Sequence, residues 1–141
     1  MKKIFLILIL IFTFSFNAFS QASSLENVRI RIFSDKNIEE VLFIPSFGSY
    51  FLETEKGEKV KLNRTSKVKI TDLDGQVEIK INDTIFQKTK KITLTASGLK
   101  SFFQIKPIKP QIAERRYEDC LEISSKNKSL FIINVVKTDN Y

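Results

Sequence analysis

The chain has no histidine, no tryptophan, one cysteine, one methionine, four glycines and three prolines among 141 residues. Without histidine, His-ligated metal centres, Ser/His/Asp triads and Cys/His dyads are excluded, and a single cysteine builds neither a zinc cluster nor an internal disulfide. No metal and no cofactor is expected. Cys120, the only thiol, reads as a buried and inert side chain, with pairing between chains as the alternative. Apolar residues do not recur at helical spacing for more than about two turns after residue 20, which excludes long helices. Internal repeats, low-complexity tracts and linkers are also missing, so no domain boundary arises beyond the first twenty residues.

Those first twenty residues form a pattern of their own. Lys2-Lys3, an apolar run from Ile4 to Phe16 and then Asn17-Ala18-Phe19-Ser20 make the three parts of a secretory signal, with Ala18 and Ser20 as the small residues before cleavage at Gln21. The apolar run is shorter than the roughly 20 residues that span hydrocarbon, and no later segment has the character of a transmembrane helix. The expected division is a signal peptide over 1–20 and one exported domain over 21–141, in the periplasm, cell envelope or medium. Without Lys2 and Lys3 the formal charge of +7 falls to +5, and five of the thirteen phenylalanines leave with the leader. Export removes cytoplasmic nucleic acid as a partner. The lysines and arginines also read as spread over strand faces without interleaved aromatics, unlike a base-stacking platform. The positive charge then serves solubility or attraction to anionic envelope polymers.

Alternation with a period of two dominates the rest, and the fold class expected is mainly β, built of short antiparallel strands and hairpins. Val28, Ile30 and Ile32 alternate with Arg29 and Arg31, and Val60 and Leu62 with Lys59 and Lys61, as half-buried strands do. Asp74-Gly75 is a two-residue hairpin turn, because both positions tolerate positive φ. Pairing outward from it sets Ile70 opposite Ile79, Val68 opposite Ile81 and Lys69 opposite Lys80, the last pair tolerable on an exposed face near Glu78. Further strands are expected at Val41–Ile44, Tyr50–Glu53, Thr84–Gln87, Lys91–Thr95, Phe102–Ile105 and Cys120–Ser124. Pro107 and Pro110 make Ile105–Ile112 an extended connector or an edge segment. A short helical turn is expected around Asp35–Glu40, and the apolar Leu130–Val136 reads as a strand covered on both faces.

Candidate chemistry is sparse. Asp72-Leu73-Asp74-Gly75 lacks the further acids and closing Glu of a calcium loop and reads as a turn. Glu39-Glu40, Glu53 with Glu55, and Glu118-Asp119 are close carboxylates of the kind that divide acid and base roles in glycoside cleavage, but none has apolar flanks, and they read as solvated surface. Asn63, Asn82 and Asn127 stand in N-x-S/T sequons. Arg115-Arg116-Tyr117 is a compact basic and aromatic group suited to an anionic or sugar ligand, with strand-end packing of Tyr117 as the structural alternative.

From Tyr117 the sequence runs Tyr-Glu-Asp-Cys-Leu-Glu-Ile to Ile123, turns at Ser124–Ser129, and continues Leu-Phe-Ile-Ile-Asn-Val-Val-Lys-Thr-Asp-Asn-Tyr to Tyr141. This resembles the opening of the domain shared by stage II sporulation protein D and the amidase enhancer LytB (SpoIID/LytB). That family shows a Tyr-Arg-Gly-x-Leu-x-Ile strand, a turn and a V-N-x-x-x-L-E-x-Y-L segment. Tyr117, Leu121 and Ile123 match the first part, and Ile133, Asn134 and Tyr141 the second. Glu118-Asp119 replaces the family's Arg-Gly, and Thr138-Asp139 its Leu-Glu. The resemblance implies an α+β parent fold and work on peptidoglycan, either as a lytic transglycosylase on glycan strands or as the enhancer of a cell-wall amidase. Its general-acid Glu would fall beyond Tyr141, so the expectation is a truncated N-terminal β portion, inactive alone, with no catalytic residue of its own. The alternative is a complete, non-catalytic exported β-sandwich or barrel that binds an envelope polymer or a protein partner.

Overall fold

A computed structural model describes residues 27–98 and 100–138. The expected signal segment, residues 1–20, and Tyr141 lie outside them. The described elements are all strands: β1 (Asn27–Arg31), β2 (Glu40–Phe47), β3 (Tyr50–Thr54), β4 (Lys59–Leu62), β5 (Val68–Leu73), β6 (Gln76–Ile81), β7 (Thr84–Thr89), β8 (Lys91–Ala96), β9 (Phe102–Lys109), β10 (Arg115–Glu118), β11 (Cys120–Lys126) and β12 (Ser129–Lys137). They form two antiparallel six-stranded sheets, ordered β1-β12-β11-β8-β3-β4 and β10-β9-β2-β5-β6-β7. The mainly β reading holds.

The Asp74-Gly75 hairpin has the register that its turn dictates: Ile70 faces Ile79, Val68 faces Ile81 and Lys69 faces Lys80. The two lysines are separated by acids, Lys69 against Glu40 at 3.0 Å and Lys80 against Glu78 at 3.5 Å. Two further hairpins turn in the same way. Asn82-Asp83 joins β6 to β7 and Asn127-Lys128 joins β11 to β12, and both residues of each pair have positive φ, as do Asp74 and Gly75. This is the turn whose twist matches that of paired strands. Asn82 and Asn127 are therefore turn residues, while Asn63 closes an Asx turn in which its Oδ1 accepts the Thr65 N–H at 2.9 Å.

Other connections carry the chain from one sheet into the other. β2 passes into β3 through Gly48-Ser49, β7 into β8 through Lys90, and β10 into β11 through Asp119. Such bends make the corners at which strands change sheets. At two of them the bend needs positive φ, +76° at Gly48 and +65° at Asp119. A Cβ on Gly48 would press on the Ser101 side chain and come within 3.3 Å of the Lys100 carbonyl oxygen, so the corner is tight for a side chain as well as bent through positive φ.

Alternate residues of both sheets turn inward and bury Val41, Phe43, Ile70, Ile79, Leu94 and Leu121 completely, among others. Several expectations change. Residues 32–39 form bends and turns, with Lys36 N–H bonded to the Phe33 carbonyl, and no helix. β9 continues through Pro107 to Lys109, but β10 pairs with it only over Phe102–Ile105. Pro107 thus sits where the second neighbour has ended, and its carbonyl, on the side away from β2, accepts the Ile112 N–H at 3.3 Å. β12 is not covered on both faces. Leu130, Ile132, Asn134 and Val136 are buried, while Phe131, Ile133 and Val135 stay half-exposed on the outer face. Arg31 and Lys126 lie over the Phe131 ring at 4.6 and 5.5 Å, so cationic side chains cover this apolar strand from outside. β1, expected to be half-buried, is exposed along its whole length. Cys120 is a half-buried free thiol.

Candidate functional site

The exposure of β1 follows from where the two sheets end. Val28 and Ile30 pair with Val136 and Asn134 and so share the inward face of their sheet, yet each remains 47% exposed. The strand at the corresponding edge of the other sheet, β10, has four residues and leaves them uncovered. The opening is a cleft of about 530 Å³. Ile30, Asn134 and Val136 line it from one sheet; Phe102, Arg116, Tyr117 and Glu118 line it from the other.

Of the sequence candidates, Arg116 and Tyr117 reach this cleft and Arg115 does not line it. Tyr117 also packs as a strand-end residue does. Its ring stacks on Phe103 at 5.9 Å and meets the edge of Phe33 at 6.4 Å. Phe103 in turn lies 5.1 Å from Phe43 and 5.7 Å from Tyr50, all three without exposed surface. A row of aromatic rings therefore fixes the cleft wall to the middle of the core. Arg115 lies over Phe33 at 5.1 Å, and Arg116 over Phe102 at 4.3 Å.

The floor of the cleft is held by the corner at Asp119. From β12, Asn134 Nδ2 donates to the carbonyl oxygens of Glu118 at 2.8 Å and Cys120 at 2.9 Å. Asp119, 5% exposed, accepts the Lys137 N–H on Oδ2 at 2.9 Å. Leu121 and Ile123 are fully buried core residues. Five of the six residues named for the family resemblance are thus placed: Tyr117 in the cleft wall, Asn134 beneath it, Leu121 and Ile123 in the core, and Ile133 half-exposed on the outer face of β12. Beside this corner Tyr50 is fully buried, and burial first, then the nearby Cys120, Asp119 and Glu118, raise its phenol well above the usual value.

The acidic pairs resolve differently from one another. Glu39 and Glu40 face Lys109 and Lys69, and Glu53 faces Lys59 at 3.6 Å, as surface ion pairs. Glu118 and Asp119 are not solvated surface: one lines the cleft and the other is buried in the corner. Among the described residues no three His, Cys, Asp or Glu side chains converge as a metal site, and no helix is long and apolar enough to cross a membrane.

The reading that basic residues lack interleaved aromatics is overturned. Arg31, Arg64, Arg115 and Arg116 lie over Phe131, Phe47, Phe33 and Phe102 respectively. The partners in each pair are remote in sequence, so the tertiary fold brings them together. Comparison of the chain with protein-family models, with curated proteins and with solved structures found no match.

Proposed function

We propose that this chain is an exported, non-catalytic β-sandwich module that holds an envelope polymer in the cleft between β1 and β10. The observation that carries this reading is the cleft itself, with Ile30 and Val136 beside Asn134 on one wall and Phe102, Arg116, Tyr117 and Glu118 on the other. Ligand sites combine apolar surface with a few convergent polar groups, and this opening has both. Arg116 forms no ion pair among the described residues, and its guanidinium lies over the Phe102 ring at 4.3 Å. The expected signal peptide and positive charge place the ligand outside the cytoplasm and favour an anionic one.

A second reading keeps the resemblance to the SpoIID/LytB family, with peptidoglycan as the polymer or a cell-wall amidase as the partner. Two observations favour it. The two segments that carry the resemblance are bonded to each other through Asn134. Asp119 stands where the family has glycine and adopts a φ of +65°, which glycine reaches freely and aspartate tolerates.

Both readings are tested by co-sedimentation of the exported protein with purified insoluble wall polymer. The wild type should sediment, and Ile30→Asp and Arg116→Gln should each leave it in the supernatant with an unchanged melting curve. Sedimentation indifferent to both substitutions would remove the cleft from the account.

A further inference from the structure

We infer that the cleft continues onto the outer face of β10-β9-β2 as a platform for a polyanionic glycan, gripped at two points by Arg64 and Arg116. The inference rests on the polymer-binding reading and names the chemistry of the polymer.

The platform is a column of four flat groups. Arg116 lies over Phe102 at 4.3 Å, Phe102 and Phe47 have ring centroids 6.2 Å apart at 56°, and Arg64 lies over Phe47 at 5.1 Å. The strand order β10-β9-β2 sets the first three on neighbouring strands, and the Phe47–Phe102 pairing aligns the two rings. Arg64 comes from the turn after β4, braced by Asn63, whose Oδ1 accepts from the backbone N–H of Thr65 at 2.9 Å and from the hydroxyls of Thr65 at 2.6 Å and Ser66 at 3.2 Å. Neither end of the column is left to a floppy loop.

A guanidinium that lies over an aromatic ring does not spend its N–H donors on a carboxylate, and those donors form the fork that matches a carboxylate, sulfate or phosphate. Among the described residues no acid takes those of Arg64 or Arg116. The contrast is Arg29, whose two terminal nitrogens are both spent on Glu122 at 2.7 and 2.9 Å. Arg29 is paired with a carboxylate, whereas Arg64 and Arg116 lie over phenylalanines. Phe47 is 46% exposed between the two cations. The column therefore offers cation, apolar surface, apolar surface, cation in sequence, which complements a polysaccharide that carries anionic groups with the C–H faces of its rings between them. Single-stranded nucleic acid fits less well, because each ring already carries a guanidinium on one face and its neighbour ring beside it, which leaves little open face for successive bases.

The test is affinity electrophoresis of the full exported protein through gels containing polygalacturonate, a neutral glucan or a thymidine oligonucleotide. Polygalacturonate should retard the wild type, the neutral glucan should not, and the retardation should fall with added salt. Arg64→Gln, with an unchanged melting curve, should weaken retardation by about tenfold, the loss expected for one charge-assisted contact, and the double variant Arg64→Gln/Arg116→Gln should abolish it. An Arg64→Gln protein retarded like the wild type would overturn the platform. Equal retardation by the oligonucleotide would reassign it to nucleic acid and overturn the glycan. Arg64 does not line the cleft, so the two readings fail separately: if Arg64→Gln changes nothing while Ile30→Asp still abolishes wall co-sedimentation, the column falls and the cleft stands.

Discussion

Asn134 reaches across from β12 and bonds the carbonyl oxygens on both sides of Asp119, those of Glu118 and Cys120. One buried amide thus fixes the corner at which the chain leaves the sheet of β10 and enters that of β11, and Tyr117 and Glu118 of the cleft wall stand immediately before it. Asn134→Ala removes the amide donor from both carbonyls and should cost about 1–3 kcal/mol in denaturant unfolding. Asn134→Asp keeps the shape but turns an acceptor towards acceptors, and should be at least as damaging at neutral pH. An Asn134→Asp protein as stable as wild type would show that the amide does not hold the corner.

Gly48 and Gly57 both have positive φ, +76° and +83°, yet only Gly48 is crowded, by Ser101. Gly57→Ala should cost about 1–2 kcal/mol for the left-handed backbone alone. Gly48→Ala should cost clearly more, because the corner between β2 and β3 must also open. Thermal melts of the two variants compare them directly.

The Tyr50 hydroxyl, sealed in the core, finds no hydrogen-bond partner among the described residues. Tyr50→Phe removes an unpaired polar group and keeps the ring contacts with Phe43 and Phe103, so stability should stay level or rise by about 1 kcal/mol. Phe103→Ala, which empties the centre of the same aromatic row, should cost about 3–5 kcal/mol. A marked loss in Tyr50→Phe would mean that the hydroxyl is bonded after all.

Hydrogen bonding from Arg29, with Lys91 also in contact, holds the Glu122 carboxyl down at about 2 despite its partial burial. Its folded-state value lies below the ordinary 4.5, so the stabilisation it gives is present above the ordinary value and is lost as pH falls from there through about 2. Glu122→Gln should flatten the acid limb of the stability curve in that window. Unfolding free energies from pH 5 downward, for wild type and variant, check it; parallel curves would contradict the assignment.

What the sequence made legible was local. Asp74-Gly75 fixed a hairpin and its register because side chains alternate strictly and the turn has two residues. Asn82-Asp83 and Asn127-Lys128 make the same turn, but asparagine also serves sequons and loops, and nothing in the neighbouring residues marks the choice. The corners were illegible for a different reason: Gly48-Ser49 looks like a hairpin turn, and whether the next strand returns or crosses depends on which sheet needs its apolar face. Arg116 and Tyr117 stood out as a compact group. Phe47, Arg64 and Phe102 did not, since their meeting depends on the order β10-β9-β2, which no local pattern contains.

The most direct test of the account is a map of amide and methyl shifts in the protein on titration with soluble wall-polymer fragments. The account predicts that the largest changes fall on Ile30, Asn134, Val136, Phe102 and the Arg116–Tyr117 pair, at the edge where β1 and β10 diverge. Changes centred instead on the exposed Ile85 and Phe86 of β7, at the far edge of the second sheet, or no changes at all, would contradict it.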